Sequence, residues 1–303
     1  MSSVRSAIVF LCALLVGGTF IVAGVLKSLD VEGFARDIAL HGIIGPGPAW
    51  LAARLLIPLE IATGVAAIVG YRRRLALAVL LAMLVLFIGA TGIAWYTGHT
   101  EGCGCFGRYA ARTPKDVIVE DLVLAAAAGV GLLLSGRRWP AEIVSTTPRL
   151  GRWRGALVAT VAAAATVMAF ASPYLPIDNI ATALRPGVTI ADLGLDRITG
   201  NLGEGDRLLV VLALDEPRTR DSVPALNALA ASPGVPTVTG LTSATEDKRA
   251  EFFWSYAPVF ELQDVPAADL RRLYRRAPRA FRVHNGAVLQ VWDGIPPVEE
   301  VAR

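Results

Sequence analysis

The sequence predicts two parts of different class: an all-α transmembrane helical bundle followed by a soluble α/β domain. The 303 residues are 54% apolar and 18% charged, with a mean hydropathy of +0.52, which is too apolar for a soluble chain of this length. The long apolar runs lie within residues 1–185, whereas residues 186–303 alternate short strand-like and helix-like patterns. Charge divides in the same way, because the first part carries a net charge of +6 and the second a net charge of −3.

The first apolar run covers residues 7–27 and is long enough to cross a hydrocarbon core of about 30 Å. A cleaved signal peptide is the alternative, since Arg5 precedes the run. However, the run has no clear small-x-small cleavage site and further spans follow, so we predict a retained helix. Residues 31–41 predict a short amphipathic helix at the membrane interface, and the Gly45-Pro-Gly-Pro48 segment after it excludes any helix there.

The second span covers residues 49–70, and Trp50 marks its start at the membrane interface. The span carries the ionisable residues Arg54 and Glu60 within its length. Ionisable side chains inside a span are costly and usually face a partner or a cavity. Two interpretations of Glu60 are therefore open. It is a structural carboxylate paired with Arg54 or Lys27, or it is a functional group in the membrane.

Three further apolar runs complete the helical part: residues 75–96, residues 117–134 and the weaker, alanine-rich residues 156–171. Glu120 and Asp121 lie near the start of the run at residues 117–134. The sequence therefore divides into three segments. Residues 1–140 form a four-helix membrane domain, residues 141–185 a basic loop, fifth helix and linker, and residues 186–303 a soluble domain.

The soluble domain shows the pattern of a single α/β unit of about 110 residues. Strand patterns cover residues 207–214, 236–241, 259–262, 278–283 and 287–292, and helix patterns cover residues 222–231, 245–256, 267–276 and 297–301. Asn285-Gly286 is a strong turn dipeptide, so the last two strands are predicted to form a hairpin.

Basic residues predict the orientation of the spans. The N-terminus and the loops at residues 71–74 and 137–154 carry nine Lys and Arg residues, whereas the loops at residues 27–48 and 97–116 carry five. The positive-inside rule then places the N-terminus inside, and the 97–116 loop and the soluble domain in the extracytoplasmic space of a multi-pass cell-membrane protein. The basic residues lie mainly at span ends, so no nucleic-acid-binding surface is indicated.

Two of the three cysteines, Cys103 and Cys105, lie in the 97–116 loop, and we predict that they are a catalytic redox pair. A Cys-x-Cys disulfide closes a small strained ring, which favours an oxidising pair over a structural one. Basic residues of the loop favour a thiolate, although Glu101 opposes them. Cys12 would lie near the inner end of the first span, where we expect a small buried apolar side chain.

Metal binding is the competing chemistry of this loop, because Cys103, Cys105 and His99 could offer three ligands to zinc or copper. The spacing argues against it, since structural zinc sites use Cys-x₂₋₄-Cys with a second pair. A third interpretation is non-enzymatic, with the bundle serving as a membrane scaffold or docking module.

Three segments resemble the methylamine-utilisation protein family MauE, which is related to DoxX: Ala-Gly-Val-Leu-Lys27, Pro58-Leu-Glu60 with Gly64, and Cys103-Gly-Cys105-Phe-Gly107. The resemblance covers about residues 6–137 and implies a four-helix membrane bundle. It also implies a role in disulfide formation or in the maturation of periplasmic redox enzymes beside a thioredoxin-like partner. The fold resembles membrane oxidases that recycle disulfide catalysts through quinone.

The soluble domain resembles a thioredoxin fold. Pro278 stands where that family has a cis-proline, and a rigid turn with a trans bond is the alternative. The segment Asp215-Glu-Pro-Arg-Thr-Arg220 stands where the Cys-x-x-Cys motif would be, and no cysteine follows Cys105. This domain therefore cannot itself exchange disulfides, and it is expected to present or recognise a client.

Together these observations predict a membrane protein that supports extracytoplasmic thiol–disulfide electron transfer through Cys103 and Cys105. Glu60 and Lys27 are additional site candidates, for proton handling or for contact with a membrane quinone, while a structural ion pair remains open. The expected partners are the lipid bilayer and an extracytoplasmic thioredoxin-like or client redox protein, and no nucleic acid is expected.

Overall fold

A computed structural model describes residues 2–98, 113–135, 148–198 and 202–302, and the chain divides into the units Met1–Leu175 and Pro176–Arg303. The first unit is helical. Its helices are α1 (Ser2–Leu29), α2 (Val31–Leu40), α3 (Pro46–Val69), α4 (Arg73–Tyr96), α5 (Pro114–Leu134) and α6 (Pro148–Ala171). The break predicted at residues 45–48 is wrong, because α3 begins at Pro46 and proline is tolerated in the first turn of a helix. Within the described ranges, all of these except α2 are long and apolar enough to cross a membrane, which confirms the prediction of a multi-pass membrane protein.

Helices α1 and α3 cross where both lack a side chain. A Cβ atom on Gly17 would lie 2.7 Å from the carbonyl oxygen of Gly64, and one on Gly64 would lie 2.6 Å from that of Gly17. A Cβ atom on Gly24 would lie 2.6 Å from the Ile61 side chain. The two antiparallel helices therefore touch backbone to backbone, as small residues permit in membrane bundles.

Helix α2 is amphipathic, as predicted, and lies against α3. Its N-terminus is capped by Asp30, whose side chain accepts a hydrogen bond from the amide of Gly33 at 3.1 Å. Its buried residues Val31 and Ala35 join Ala53 and Ile57 of α3 in one apolar cluster. The helix therefore covers part of α3 without crossing the bilayer itself.

Basic residues gather at one end of the helical unit. The guanidinium of Arg5, near the start of α1, donates to the carbonyl of Leu134 at the end of α5 at 2.6 Å. Gly155 in α6 packs against Tyr71 in the α3–α4 turn. The opposite end contains α2, the end of α4 and the start of α5.

The second unit is built on a mixed five-stranded sheet in the order β3-β2-β1-β4-β5. In chain order its elements are α7 (Asp178–Ala181), β1 (Asp206–Val211), α8 (Pro217–Ala230), β2 (Thr237–Thr242), α9 (Glu246–Tyr256), β3 (Glu261–Asp264), α10 (Ala267–Arg271), β4 (Arg279–His284), β5 (Ala287–Asp293) and α11 (Val298–Val301). Strand β1 pairs parallel with β2 and antiparallel with β4, and β4 pairs antiparallel with β5. Each predicted strand and helix of this unit is present, with ends shifted by a few residues.

Both faces of the sheet are covered, because β1 is buried on both sides. Leu209 and Val211 belong to one core cluster with Phe281, whereas Leu208 and Val210 belong to another with residues of α8 and α9. The predicted hairpin is also confirmed, since Asn285 and Gly286 connect β4 and β5 with φ values of 46° and 81°.

The α/β unit begins ten residues before the boundary at residue 186 that composition indicates. Arg279, only 1% exposed, donates to the Thr182 hydroxyl at 2.6 Å and to Asn179 Oδ1 at 3.1 Å. Arg275 pairs with Asp178 Oδ2 at 3.4 Å. The predicted 141–185 segment is thus divided: α6 packs with the helical unit, and residues from Pro176 onward are part of the α/β unit.

Candidate functional site

The predicted redox pair, Cys103 and Cys105, lies outside the described residues, as do His99 and Glu101. The described chain on either side of this segment ends α4 at Tyr96 and begins α5 at Pro114. The start of α5 has a capping box, in which Thr113 Oγ1 accepts from the amide of Asp116 and the Asp116 carboxylate accepts from the amide of Thr113.

A buried ion pair joins α1 to α3. Lys27 Nζ lies 2.5 Å from Glu60 Oε1, and the two side chains are 3% and 0% exposed. The Gly17–Gly64 crossing positions the pair, because Lys27 follows the close contact at Gly24 by one turn. Of the two partners that the sequence left open for Glu60, the structure selects Lys27.

Aromatic rings enclose the ammonium group of this pair. Lys27 Nζ lies 4.8 Å from the ring centroid of Phe34 in α2 and 5.1 Å from that of Phe87 in α4. These rings stabilise a cation in an apolar environment. The ion pair is thereby shielded by four elements of the helical unit, since α2 and α4 close over α1 and α3.

A cavity of about 20 Å³ lies beside the pair and is lined by Glu60, Lys27, Phe87 and, from α5, Val117 and Asp121. Asp121 is 3% exposed, so a second carboxyl group is buried here. Glu60 Oε2 has no hydrogen-bond partner among the described residues. The volume admits about one water molecule.

This volume tests the expected quinone contact. Benzene requires a cavity of roughly 150 Å³, so the 20 Å³ beside Glu60 does not accommodate a quinone ring. A quinone would therefore have to contact this pair from outside the cavity, and quinone contact, proton handling and a purely structural ion pair all stay predictions for Lys27 and Glu60.

The cavity lies toward the end of the bundle where α4 ends and α5 begins. Val117 lies three residues, or about 4.5 Å of helix, beyond the first residue of α5. Lys27 lies two residues before the end of α1. The buried polar pair is therefore close, along the helix axes, to the end of the bundle at which α4 ends and α5 begins.

Arg54 has a partner of its own. Its Nη2 donates to Glu32 Oε1 of α2 at 2.6 Å, and its guanidinium lies 3.8 Å from the Trp50 ring centroid and 5.8 Å from that of Phe170. Pairing of Arg54 with Glu60 is therefore wrong, because the Arg54 side chain is engaged with α2 and α6. Its role is to hold the interfacial helix against α3.

Cys12 is half-buried and is a free cysteine. The expectation that it is buried was wrong, although its Cβ atom lies close to Gly131 of α5. In the described parts of the chain, no group of three or more His, Cys, Asp and Glu side chains could hold a metal ion.

In the α/β unit, residues 215–220 lie at the junction of β1 and α8, where the missing Cys-x-x-Cys motif was expected. Thr219 is fully buried there, and its hydroxyl has no hydrogen-bond partner among the described residues. The Ala277–Pro278 peptide bond, directly before β4, is cis as the resemblance predicts.

Sequence reasoning did not identify Asp121, Arg275 or Arg279 as buried polar residues. The sequence shows Asp121 only as part of the polar start of a span, and its position one helical turn beyond Val117 is the available signal for burial. The two arginines gave no signal, because their partners lie about 100 residues earlier in the chain.

Fold and site together define a class: a multi-pass helical membrane protein with a buried Lys–Glu pair, joined to an α/β domain. Comparison with known families shows which family the membrane part is similar to. Residues 5–134 match the family described as methylamine utilisation protein MauE, so this segment is a MauE-like membrane domain.

One curated relative matches at low identity. The chain is 25% identical over 136 residues to Protein TlpB of Flavobacterium psychrophilum. The match covers 41% of this chain and 36% of that protein, so the chain spans only about a third of its relative. No solved structure matches the chain significantly.

Proposed function

We propose that this protein is a membrane component of extracytoplasmic thiol–disulfide electron transfer, with Cys103 and Cys105 as its redox pair. In the proposed step, a client dithiol is oxidised to a disulfide while the Cys103–Cys105 disulfide is reduced to two thiols. Two electrons and two protons thus pass from client to pair. The same oxidation step would let the protein form disulfides in client redox proteins as they mature, as in the methylamine-utilisation type of role.

The observation that carries this proposal is the position of the Cys-x-Cys pair inside the MauE-like segment. The pair lies between α4 and α5, and the start of α5 lines the cavity beside the Lys27–Glu60 pair. A buried ionisable pair in a membrane bundle marks a functional group by default. We assign proton handling to Glu60, with Lys27 as the residue that holds its carboxylate in place.

We propose that the α/β unit is a thioredoxin-like domain that recognises a client without exchanging disulfides. The sheet order supports this assignment, because a parallel β1–β2 pair continues into an antiparallel β1-β4-β5 series. All three cysteines of the chain precede this unit. It can therefore bind a redox partner while the chemistry takes place at the membrane domain.

Thiol trapping in intact membranes tests the redox pair. Alkylation should show that the Cys103–Cys105 disulfide is reduced to two thiols when a client dithiol is supplied, and that it re-forms when oxidised glutathione is supplied as the electron acceptor, which completes one cycle. Cys103→Ser and Cys105→Ser should each abolish cycling, and Cys12→Ser is the matched control that should leave it intact. A pair that stays reduced in wild-type membranes would contradict the proposal.

Two other outcomes would assign another function. Stoichiometric zinc or copper in the purified protein, lost in the Cys103→Ser variant, would indicate a metal site. Full client maturation by a Cys103→Ser/Cys105→Ser double variant would indicate a scaffold.

Sidedness is part of the proposal. Arg5, the α3–α4 turn and the start of α6 lie at one end of the bundle, and this basic end is expected to face the cytoplasm. Reporter fusions after residue 98 and after residue 302 should both report an extracytoplasmic location. A cytoplasmic signal at either site would contradict the assignment.

A further inference from the structure

An exposed aromatic patch on the α/β unit has no role in the function described so far. It consists of Phe253, Trp254 and Tyr256 at the end of α9 and Val259 in the loop that follows, with exposed fractions of 53%, 85%, 37% and 64%. The rings of Phe253 and Trp254 meet edge to face, with their centroids 6.1 Å apart. Apolar surface gathered in this way marks a site of contact with a partner or a membrane.

The aromatic patch is presented by a fixed part of the fold. Phe252 and Phe260 belong to the core cluster that covers one face of the sheet, and they are 3% and 8% exposed. The Phe252 ring also packs against that of Tyr256, with the centroids 5.1 Å apart. The segment at residues 252–260 is therefore anchored in the core by some of its side chains while it exposes the others.

Backbone groups of the loop after α9 are paired within the protein. The side chain of Asn227 in α8 donates to the carbonyl of Ala257 at 3.1 Å and accepts from the amide of Val259 at 2.9 Å. The Ala257 amide donates to the Phe253 carbonyl at 2.9 Å. Paired backbone groups can enter an apolar layer, whereas unpaired ones are costly there. Residues 252–260 also carry no charged side chain, so their insertion would take no charge out of water.

The bilayer is an apolar layer within permanent reach of this unit. The fifth candidate span ends at Tyr174, and Asp178, which pairs with Arg275 in the α/β unit, lies four residues later. Four residues extend over at most about 14 Å. The α/β unit is therefore tethered at the membrane surface, and the tether gives the patch a high effective concentration of lipid. Tryptophan and tyrosine are the residues enriched at the level of the lipid headgroups.

We propose that the aromatic patch docks the α/β unit on the bilayer, with Trp254 and its neighbours inserted at the level of the lipid headgroups. The contact is that of an interfacial anchor, because the patch is too short to cross the hydrocarbon core. Docking restricts the orientations that the tethered unit adopts at the membrane surface. The inference goes beyond the redox role proposed above and does not depend on it, since lipid contact needs neither cysteine.

Quenching of tryptophan fluorescence by lipid tests the contact in the full-length protein. The protein is reconstituted as one copy per nanodisc, in phosphatidylcholine with or without bromine atoms on the acyl chains near the headgroup. The emission lost in the Trp254→Phe variant gives the contribution of Trp254. Brominated lipid should remove most of this contribution. Iodide in the water should remove little of it, although protein atoms leave Trp254 85% exposed.

Trp292 in β5 is the matched reference, because it belongs to the same unit, lies outside the patch and donates from Nε1 to Glu300 Oε2 at 2.7 Å. The emission lost in the Trp292→Phe variant gives its contribution. Brominated lipid should leave that contribution nearly unchanged. Equal quenching of the two tryptophans would overturn the inference, because it would show that the patch is not the part of the unit that meets the lipid.

Val259→Asp and Leu289→Asp form a second matched pair. Each replaces an exposed apolar side chain of the α/β unit, and only Val259 belongs to the patch. Val259→Asp should lower the quenching of Trp254 by brominated lipid and raise its quenching by iodide, because a carboxylate resists insertion. Leu289→Asp should behave as wild type. The same lipid quenching of Trp254 in both variants would contradict docking through the patch.

Two further outcomes would overturn the inference. Free access of iodide to Trp254 in nanodiscs would show that the patch stays in water. Protection from iodide without quenching by brominated lipid would show that protein covers the patch instead. Neither outcome changes the expected thiol cycling of Cys103 and Cys105, so failure of the docking and failure of the redox role can be distinguished.

Discussion

At the residue scale, the Lys27–Glu60 pair shows how a single contact ties helices together. Both side chains are almost completely buried, so each charge depends on the other for compensation. Removing one partner leaves an uncompensated charge, whereas removing both leaves an apolar contact. The two kinds of variant should therefore differ strongly in stability.

We expect Lys27→Met or Glu60→Leu alone to lower the free energy of unfolding by about 3–5 kcal/mol. The Lys27→Met/Glu60→Leu double variant should lose much less, because no charge remains buried. A double-mutant cycle of unfolding in detergent micelles measures the coupling between the two side chains. Equal losses that simply add in the double variant would contradict a direct buried pair.

A second residue-scale contact is electrostatic and lies in the α/β unit. The Arg282 guanidinium donates two hydrogen bonds to the Asp206 carboxylate, at 2.6 and 3.0 Å, and this lowers the pKa of Asp206 below its usual range. The contact links the start of β1 to β4. Its contribution to stability is therefore complete above the unfolded pKa of about 3.9 and is lost as pH falls through the folded pKa.

Acid should therefore weaken the pairing of β1 with β4. We expect hydrogen exchange of the β1 and β4 amides, corrected for intrinsic rates, to accelerate below about pH 4 in wild type. Asp206→Asn should remove this acid-dependent part and exchange faster than wild type at neutral pH. Asp221→Asn, an exposed aspartate of α8, is the control and should behave as wild type.

At the element scale, the crossing of α1 and α3 determines where the functional groups meet. Gly17 and Gly64 allow the two backbones to touch, and the ion pair follows from that approach. The helices themselves were predictable, because a run of about twenty apolar residues is typical of a helix that crosses a membrane. The crossing point of α1 and α3 was not predictable, since the sequence does not show which glycine of α1 faces which residue of α3.

We expect Gly17→Ala to lower the free energy of unfolding by about 1–3 kcal/mol, because its Cβ atom would collide with the Gly64 carbonyl. Gly18→Ala is the matched control. A Cβ atom there meets nothing within 4 Å, so the change should be neutral or stabilising by up to about 1 kcal/mol. Equal unfolding temperatures of the two variants would show that the helices do not touch at Gly17.

At the scale of the whole molecule, the boundary between the units is set by long-range hydrogen bonds. Asp178, Asn179 and Thr182 precede the first strand, yet they satisfy Arg275 and Arg279 near the end of the domain. Leu184 adds a fully buried side chain to the same unit. Composition could not indicate that the domain begins at Pro176, because the segment before residue 186 has the polar composition of an ordinary linker.

A fragment starting at Pro176 should therefore fold, whereas one starting at residue 186 should not. The shorter fragment removes the acceptors Thr182 and Asn179 from Arg279, removes Asp178 from Arg275 and removes Leu184 from the core, a loss of several kcal/mol from a domain of marginal stability. Circular dichroism and thermal unfolding of the two fragments measure the difference. Equal unfolding temperatures would contradict the assigned boundary.

The sequence by itself determined the five spans, the interfacial helix, the strands and the hairpin turn. These features depend on local periodicity and turn chemistry, which neighbouring residues specify. Only the tertiary structure decided that Glu60 pairs with Lys27 rather than Arg54, that Asp121 shares its cavity, and that the α/β unit begins at Pro176. These contacts join residues from about 30 to 100 positions apart, and they depend on how closely helices and strands pack, which no local pattern encodes.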